Sequence, residues 1–163
     1  MSVIHDYLKF MVDAVQLNKK QHEFYSKQLS NYKEVTITKI ADLPEKLQDD
    51  VNRAITIVAP ALKQCYRNSQ NFTLHFSSNP SSKVFYVEGY YTCYSLPIEH
   101  AFNKLIFEGK EYYIDITAEL SSFPDTGTRE YGMYLESPKN KVLDFLLNSE
   151  MYSSIFNYNF FNN

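Results

Sequence analysis

Cys65, His100 and Asp115 are the residues whose types and order could do chemistry, and the chemistry is acyl transfer through a thiol. A thiol is a strong nucleophile only as a thiolate. The partial positive charge of a helix N-terminus and a neighbouring imidazolium both favour that form. Histidine has the proton affinity to take the thiol proton and return it to a leaving group. A carboxylate that accepts the other ring N–H holds the imidazole in one tautomer and one orientation. Taken singly, each residue has a plainer reading. Free cysteines are among the most buried residues, and a surface histidine often pairs with a surface aspartate.

The elements around these residues decide whether they can meet. Asp42, then Leu43-Pro44-Glu45, marks a helix start. Leu47, Val51, Ala54, Ile55 and Val58 give that helix a buried face. Pro60 breaks it, and a new helical segment from Ala61 to about Phe72 places Cys65 near its N-terminus. Ser77 to Ser82 reads as a loop. Lys83 to Tyr94, Ile98 to Phe107 and Lys110 to Thr117 read as strands, the last two joined by Glu108-Gly109. A two-residue loop there puts His100 opposite Thr117 and Phe102 opposite Asp115. His100 and Asp115 are then diagonal neighbours on one face, roughly 7–8 Å apart at Cβ or somewhat less. A one-residue slip would separate them.

The flanking segments read as follows. Val3 to about Tyr32 contains no Gly or Pro, and Ile4, Leu8, Met11 and Val15 share one face, which predicts a single long amphipathic helix with a more polar second half. Val35 to Thr38 alternates as a short strand or extended link. Ser121 to Arg129 is a Pro/Gly/Ser loop, and Tyr131 to Leu135 a fourth strand. Ser137-Pro138 opens a last helix carrying Val142, Phe145 and Leu146, and the aromatic tail from Phe156 is expected to pack or fray. Helices first, then an antiparallel sheet, then a helix, is an α+β order. One domain over 1–163 is expected: an N-terminal helix and link (1–41), a catalytic core (42–136) and a C-terminal helix with its tail (137–163).

Four blocks carry a resemblance: Cys65-Tyr66-Arg67-Asn68, Tyr86-Val87-Glu88-Gly89-Tyr90, Glu99-His100-Ala101-Phe102-Asn103 and Tyr113-Ile114-Asp115-Ile116-Thr117. Together they resemble the transglutaminase-like members of the papain-like superfamily, with a Cys at a helix start, H-A-[WF] on one strand and D-x-T on the next. They are also similar to small bacterial and phage proteins with C-Y-x-N, E-G, E-H-A and D-x-T blocks. The resemblance covers residues 61–117. It implies a papain/transglutaminase-like core, with Cys65 as nucleophile, His100 as base and Asp115 as orienter. Gln64 and Tyr66 depart from the small residues and the Trp that usually flank the family's cysteine. The backbone N–H of Cys65 is the natural first oxyanion donor. Gln64 and Asn68 are candidates for the second, and Glu88 for a substrate contact, although a strand charge followed by a bulge-forming Gly explains Glu88 equally well.

Composition narrows the function class. The 163 residues carry a net charge of −3, so no basic field favours nucleic acid. No apolar run approaches the roughly 18–20 residues of a membrane span. The N-terminus lacks a signal-peptide layout, and a cytoplasmic protein is expected, although one delivered into a host cell would read alike. Cys65 and Cys93 form neither a disulfide framework nor a C-x-x-C pair, and neither has a Cys or His at close metal-ligand spacing. No metal or cofactor is expected. The expected partner is a protein or peptide substrate offering a Gln or Asn side chain or another amide. Hydrolysis and transamidation use the same constellation. A non-catalytic binding or inhibitor module on the same fold is the competing class.

Overall fold

The structure is a computed structural model that describes residues 2–120 and 129–162. The fold is α+β, with helices ahead of a curled five-stranded sheet and further helices behind it. The expected loop at 121–129 lies outside the described residues except for Arg129.

The chain opens with α1 (Val3–Ala14) and α2 (Lys19–Asn31) rather than one long helix. The break falls at Asn18, whose Oδ1 accepts the Gln21 N–H at 3.1 Å and so starts a new helix. Asparagine competes for backbone hydrogen bonds and favours caps over helix interiors. Splitting the segment lets both halves bury apolar residues. Ile4 and Leu8 of α1 join Phe24 of α2 in a cluster with Tyr90, Tyr134 and Phe156.

Strand β1 is Lys33–Val35, shorter and earlier than the sequence pattern suggests. Beyond it Ile37 makes a parallel bridge to Tyr113, and the Thr38 N–H bonds the Tyr113 carbonyl at 2.7 Å. A 3-10 turn at Ile40–Asp42 precedes α3 (Glu45–Val58), so Pro44, not Asp42, stands at the N-cap. Leu47, Val51, Ala54 and Val58 bury as expected. Ala59 ends α3 in the left-handed region, at φ 45°. The following helix, α4, spans Cys65–His75 and begins four residues later than expected, which makes Cys65 its first residue.

Strands β2 (Ser82–Cys93), β3 (Leu96–Phe107), β4 (Lys110–Ile114) and β5 (Tyr131–Pro138) complete the sheet in the order β1-β5-β2-β3-β4. All paired neighbours are antiparallel. The β3–β4 hairpin has the expected register, with Phe107 opposite Lys110. Strand β4, however, stops at Ile114, so His100 and Thr117 are not paired. A bulge sits between Glu88 and Gly89, where β5 comes so close that a Cβ on Gly89 would lie 1.8 Å from the Gly132 carbonyl oxygen. Curling brings the β1 extension back to β4 through the Ile37–Tyr113 bridge. The enclosed face holds Val35, Val87, Phe102, Tyr113 and Tyr131. Elsewhere α3 and α4 pack through Val51, Phe72 and Phe76 on Val84, Leu105 and Ile114.

Helix α5 (Lys139–Ser149) starts after Pro138 and buries Val142 and Phe145. The tail folds into α6 (Ile155–Asn162), whose Ile155 and Phe156 are buried. Among the described residues no helix is long and apolar enough to cross a membrane.

Candidate active site

The loop after Pro60 is held by Asn68, which looks back across the first turn of α4. Its Oδ1 accepts the Ala61 N–H at 3.0 Å, and its Nδ2 donates to the Ala61 carbonyl at 2.7 Å and to Thr117 Oγ1 at 3.0 Å. The short segment between the Pro60 break and the helix is thereby fixed, and Cys65 is presented at the first helical position. There its thiol sits in the partial positive charge of the helix N-terminus.

Asp115 is placed by the end of β4. Leaving the strand, the chain turns so that Asp115 Oδ1 accepts the N–H groups of Thr117 and Ala118, each at 3.0 Å. This is the local role of the D-x-T block: a short aspartate side chain bonds the backbone two and three residues on. Oδ2 is left facing β3, where it meets His100 Nε2 at 2.7 Å. It also accepts the Tyr131 hydroxyl at 3.0 Å. All four bonds are made in a site where Asp115 is only 2% exposed.

His100 is 7% exposed. The Tyr91 ring meets its edge with centroids 4.7 Å apart, and Phe102 and Tyr131 lie at 6.4 Å. With Nε2 engaged by Asp115, Nδ1 is the ring nitrogen left for the Cys65 sulfur, and the ring stabilises the thiolate. The backbone N–H groups of Ala101 and Tyr66 act on the sulfur in the same direction.

The electrostatics of the three groups agree. Burial pushes the Cys65 thiol up, but the His100 hydrogen bond and charge outweigh it and hold the thiol below its ordinary value. Burial disfavours the His100 cation, yet the Asp115 charge and hydrogen bond raise its pKa to about 9. Burial likewise opposes the Asp115 anion, and His100, the Ala118 N–H and the Tyr131 hydroxyl overcome it and lower its pKa. All three directions favour the charged forms: thiolate, imidazolium and carboxylate. The site opens on a cleft of about 830 Å³ lined by Cys65, Tyr91, Glu99, His100, Asp115 and Arg129 among others.

The chain matches no known family model, no curated protein and no solved structure.

The remaining sequence candidates are placed elsewhere. Asn68 is fully buried and both ends of its amide are spent on Ala61 and Thr117, so it positions the site and has no donor to offer an oxyanion. Glu88 is also fully buried and far from a substrate role. Its carboxylate accepts the Tyr86 hydroxyl at 2.8 Å, the Ser154 hydroxyl at 2.6 Å and the N–H groups of Ile155 and Phe156, which caps α6. Burial still pushes its pKa up to about 7. Gln64 is exposed just ahead of Cys65, its oxygen 3.4 Å from Arg67, and it does not line the cleft. Among the sheet tyrosines, Tyr91 and Tyr94 line the cleft. Tyr90 packs instead in the α1–α2 cluster, Tyr113 on the enclosed sheet face and Tyr112 against the α3 core. Cys93 is half-buried at the cleft.

Tyr131 and Arg129 went unnoticed in the sequence. Tyr131 is 16 residues from Asp115, and nothing local marks it. Among the described residues no group of three His, Cys, Asp or Glu side chains is arranged to hold a metal ion.

Proposed function

We propose that this protein is a cysteine-nucleophile acyl-transfer enzyme of the transglutaminase-like or papain-like kind, acting on an amide carbonyl of a protein or peptide. The observation that carries the reading is the contact series Cys65–His100–Asp115, with His100 Nε2 held at 2.7 Å by Asp115 and the thiol open to the cleft. The Cys65 thiolate attacks the carbonyl carbon, and the C=O electron pair moves onto oxygen. The N–H of Cys65, at the first turn of α4 where helical N–H groups have no intrahelical acceptor, faces that oxyanion. As the C–N bond breaks, imidazolium His100 gives its proton to the departing ammonia or amine, leaving a thioester on Cys65. His100, now neutral, takes a proton from an incoming water or amine, which attacks the thioester and releases the thiol as thiolate. Water gives hydrolysis and an amine gives transamidation.

Competitive labelling with iodoacetamide at mildly acidic pH tests the reading, with both cysteines followed by mass spectrometry. Cys65 is expected to label at least about tenfold faster than Cys93, since its thiol is held low by His100. Equal, slow labelling of both would sink the mechanism.

A further inference from the structure

We propose that Tyr131 is a positioning residue of this site, locking the Asp115 carboxylate and through it the His100 ring, with Arg129 acting on the Tyr131 hydroxyl from the cleft side. The inference rests on reading Cys65, His100 and Asp115 as a working triad.

The geometry is specific. Backbone N–H groups of the Asp115 turn occupy only Oδ1, so they set the carboxylate's position but leave Oδ2 to be aimed. Oδ2 has two donors, His100 Nε2 at 2.7 Å and the Tyr131 hydroxyl at 3.0 Å. Swinging Oδ2 away from the imidazole would break the Tyr131 bond in a buried site, where an unmade hydrogen bond is costly. Tyr131 cannot easily follow. It is on β5, and its ring packs on Phe102 at 5.8 Å and on Tyr91 at 6.0 Å. The Arg129 guanidinium acts on the Tyr131 hydroxyl electrostatically. A cation near that oxygen polarises the O–H and strengthens its donation to Asp115. Arg129 also lies over the Tyr91 ring, 5.8 Å from its centroid, and the edge of that ring meets His100. One half-buried, cleft-lining cation therefore acts on two groups that border the imidazole.

The titratable groups facing the His100–Asp115 pair are Cys65 from α4, Tyr91 from β2, Tyr131 from β5 and Arg129 just ahead of it. Lys63, Cys93, Tyr94, Glu99 and Glu130 line the same cleft. Removing the Tyr131 hydroxyl takes one donor from a buried carboxylate. The less stabilised Asp115 charge then holds the His100 proton more tightly, while the freed Oδ2 widens the range of ring orientations.

The test is the pH profile of Cys65 alkylation by iodoacetamide, from about pH 4 to about pH 10, for the wild type, Tyr131→Phe, Arg129→Ala and Arg129→Lys. In Tyr131→Phe the alkaline inflection, which reports loss of the His100 proton, is expected to move up by roughly half a pH unit or more. Arg129→Ala is expected to move it the same way and less, and Arg129→Lys to restore most of the wild-type profile. A Tyr131→Phe protein that melts earlier with an unmoved profile assigns Tyr131 a packing role only and overturns the inference. If that variant does not fold, an unmoved profile in Arg129→Ala overturns it alone. A wild-type profile with no low-pH thiolate on Cys65 is a different failure: the triad reading falls, and this inference with it.

Discussion

Asn68 donates from Nδ2 to Thr117 Oγ1 across 3.0 Å, joining the first turn of the helix that begins at Cys65 to the turn that presents Asp115. The same amide holds Ala61 on both its N–H and its carbonyl. One buried side chain therefore sets the relative position of two elements that are far apart in sequence.

Replacing Asn68 by Ala is expected to destabilise the protein and slow Cys65 alkylation together. Each buried polar group left unpaired costs about 1–3 kcal/mol, and each kcal/mol lowers Tm by roughly 2–4 °C at this chain length. Thermal melts and labelling rates check both. A melt that drops with Cys65 reactivity intact would mean that the loop is set by other contacts.

Asp115→Asn is expected to keep the turn, because the amide oxygen can still accept the Thr117 and Ala118 N–H groups. The negative charge that raises His100 is lost. The imidazolium is then less populated near neutral pH, and Cys65 loses its main stabiliser. Alkylation at mildly acidic pH is expected to fall about tenfold or more, one pKa unit being a factor of ten in thiolate. An unchanged rate would separate Asp115 from the reactivity of the thiol.

The pH dependence of stability follows from the direction of each shift. His100 has a folded-state pKa raised to about 9, so its contribution is lost as pH rises from 6.5 through about 9, whereas Cys65 is lowered and its contribution grows as pH rises toward its ordinary 9.0, so the two oppose each other above neutral pH. Glu88, raised by burial to about 7, binds its proton more tightly folded than unfolded, so stability also declines as pH rises from its ordinary 4.5 through about 7. Asp115 is depressed, so its contribution is lost as pH falls below its ordinary 3.8. Stability is expected to decline between about pH 4.5 and about pH 7 through Glu88. Urea unfolding across that range checks this, and Glu88→Gln should flatten the profile there. A slope that Glu88→Gln leaves unchanged would contradict the assignment.

Gly89→Ala is expected to break the β2–β5 pairing at the bulge. Its Cβ would meet the Gly132 carbonyl 1.8 Å away, and backbone on both sides leaves nothing that can give way cheaply. A cost of about 3 kcal/mol or more follows, above most point substitutions. Loss of soluble protein or a large fall in Tm is the outcome to look for, and a melt near wild type would show that the strands can separate there.

Local punctuation carried much of the reading. Pro60 ends α3 and puts a helix start near Cys65, because proline removes a donor and clashes with the preceding turn. Glu108-Gly109 closes the β3–β4 hairpin in the expected register, and that register brings the β3 segment bearing His100 near the chain that leaves β4. Helix α3 buries the face that its apolar spacing marked. These are short-range effects, decided within a few residues by sterics and hydrogen bonding.

Long-range packing decided the rest. The Asn18 break in the N-terminal helix follows from the gain when two short helices close an aromatic cluster, which no single segment records. Glu88 reads as a substrate contact until α6 folds back and spends its carboxylate on three backbone and hydroxyl donors near Ser154 and one from Tyr86. Asn68 reads as an oxyanion donor until Thr117 and Ala61 occupy it, and Tyr131 reaches Asp115 only because the sheet curls. By itself the sequence determined the α+β class, the helix start near Cys65 and the nearness of His100 to Asp115. Only the tertiary structure decided which polar side chains face the cleft and which are consumed in holding it, because a buried polar group takes whichever partner the completed fold brings within about 3 Å.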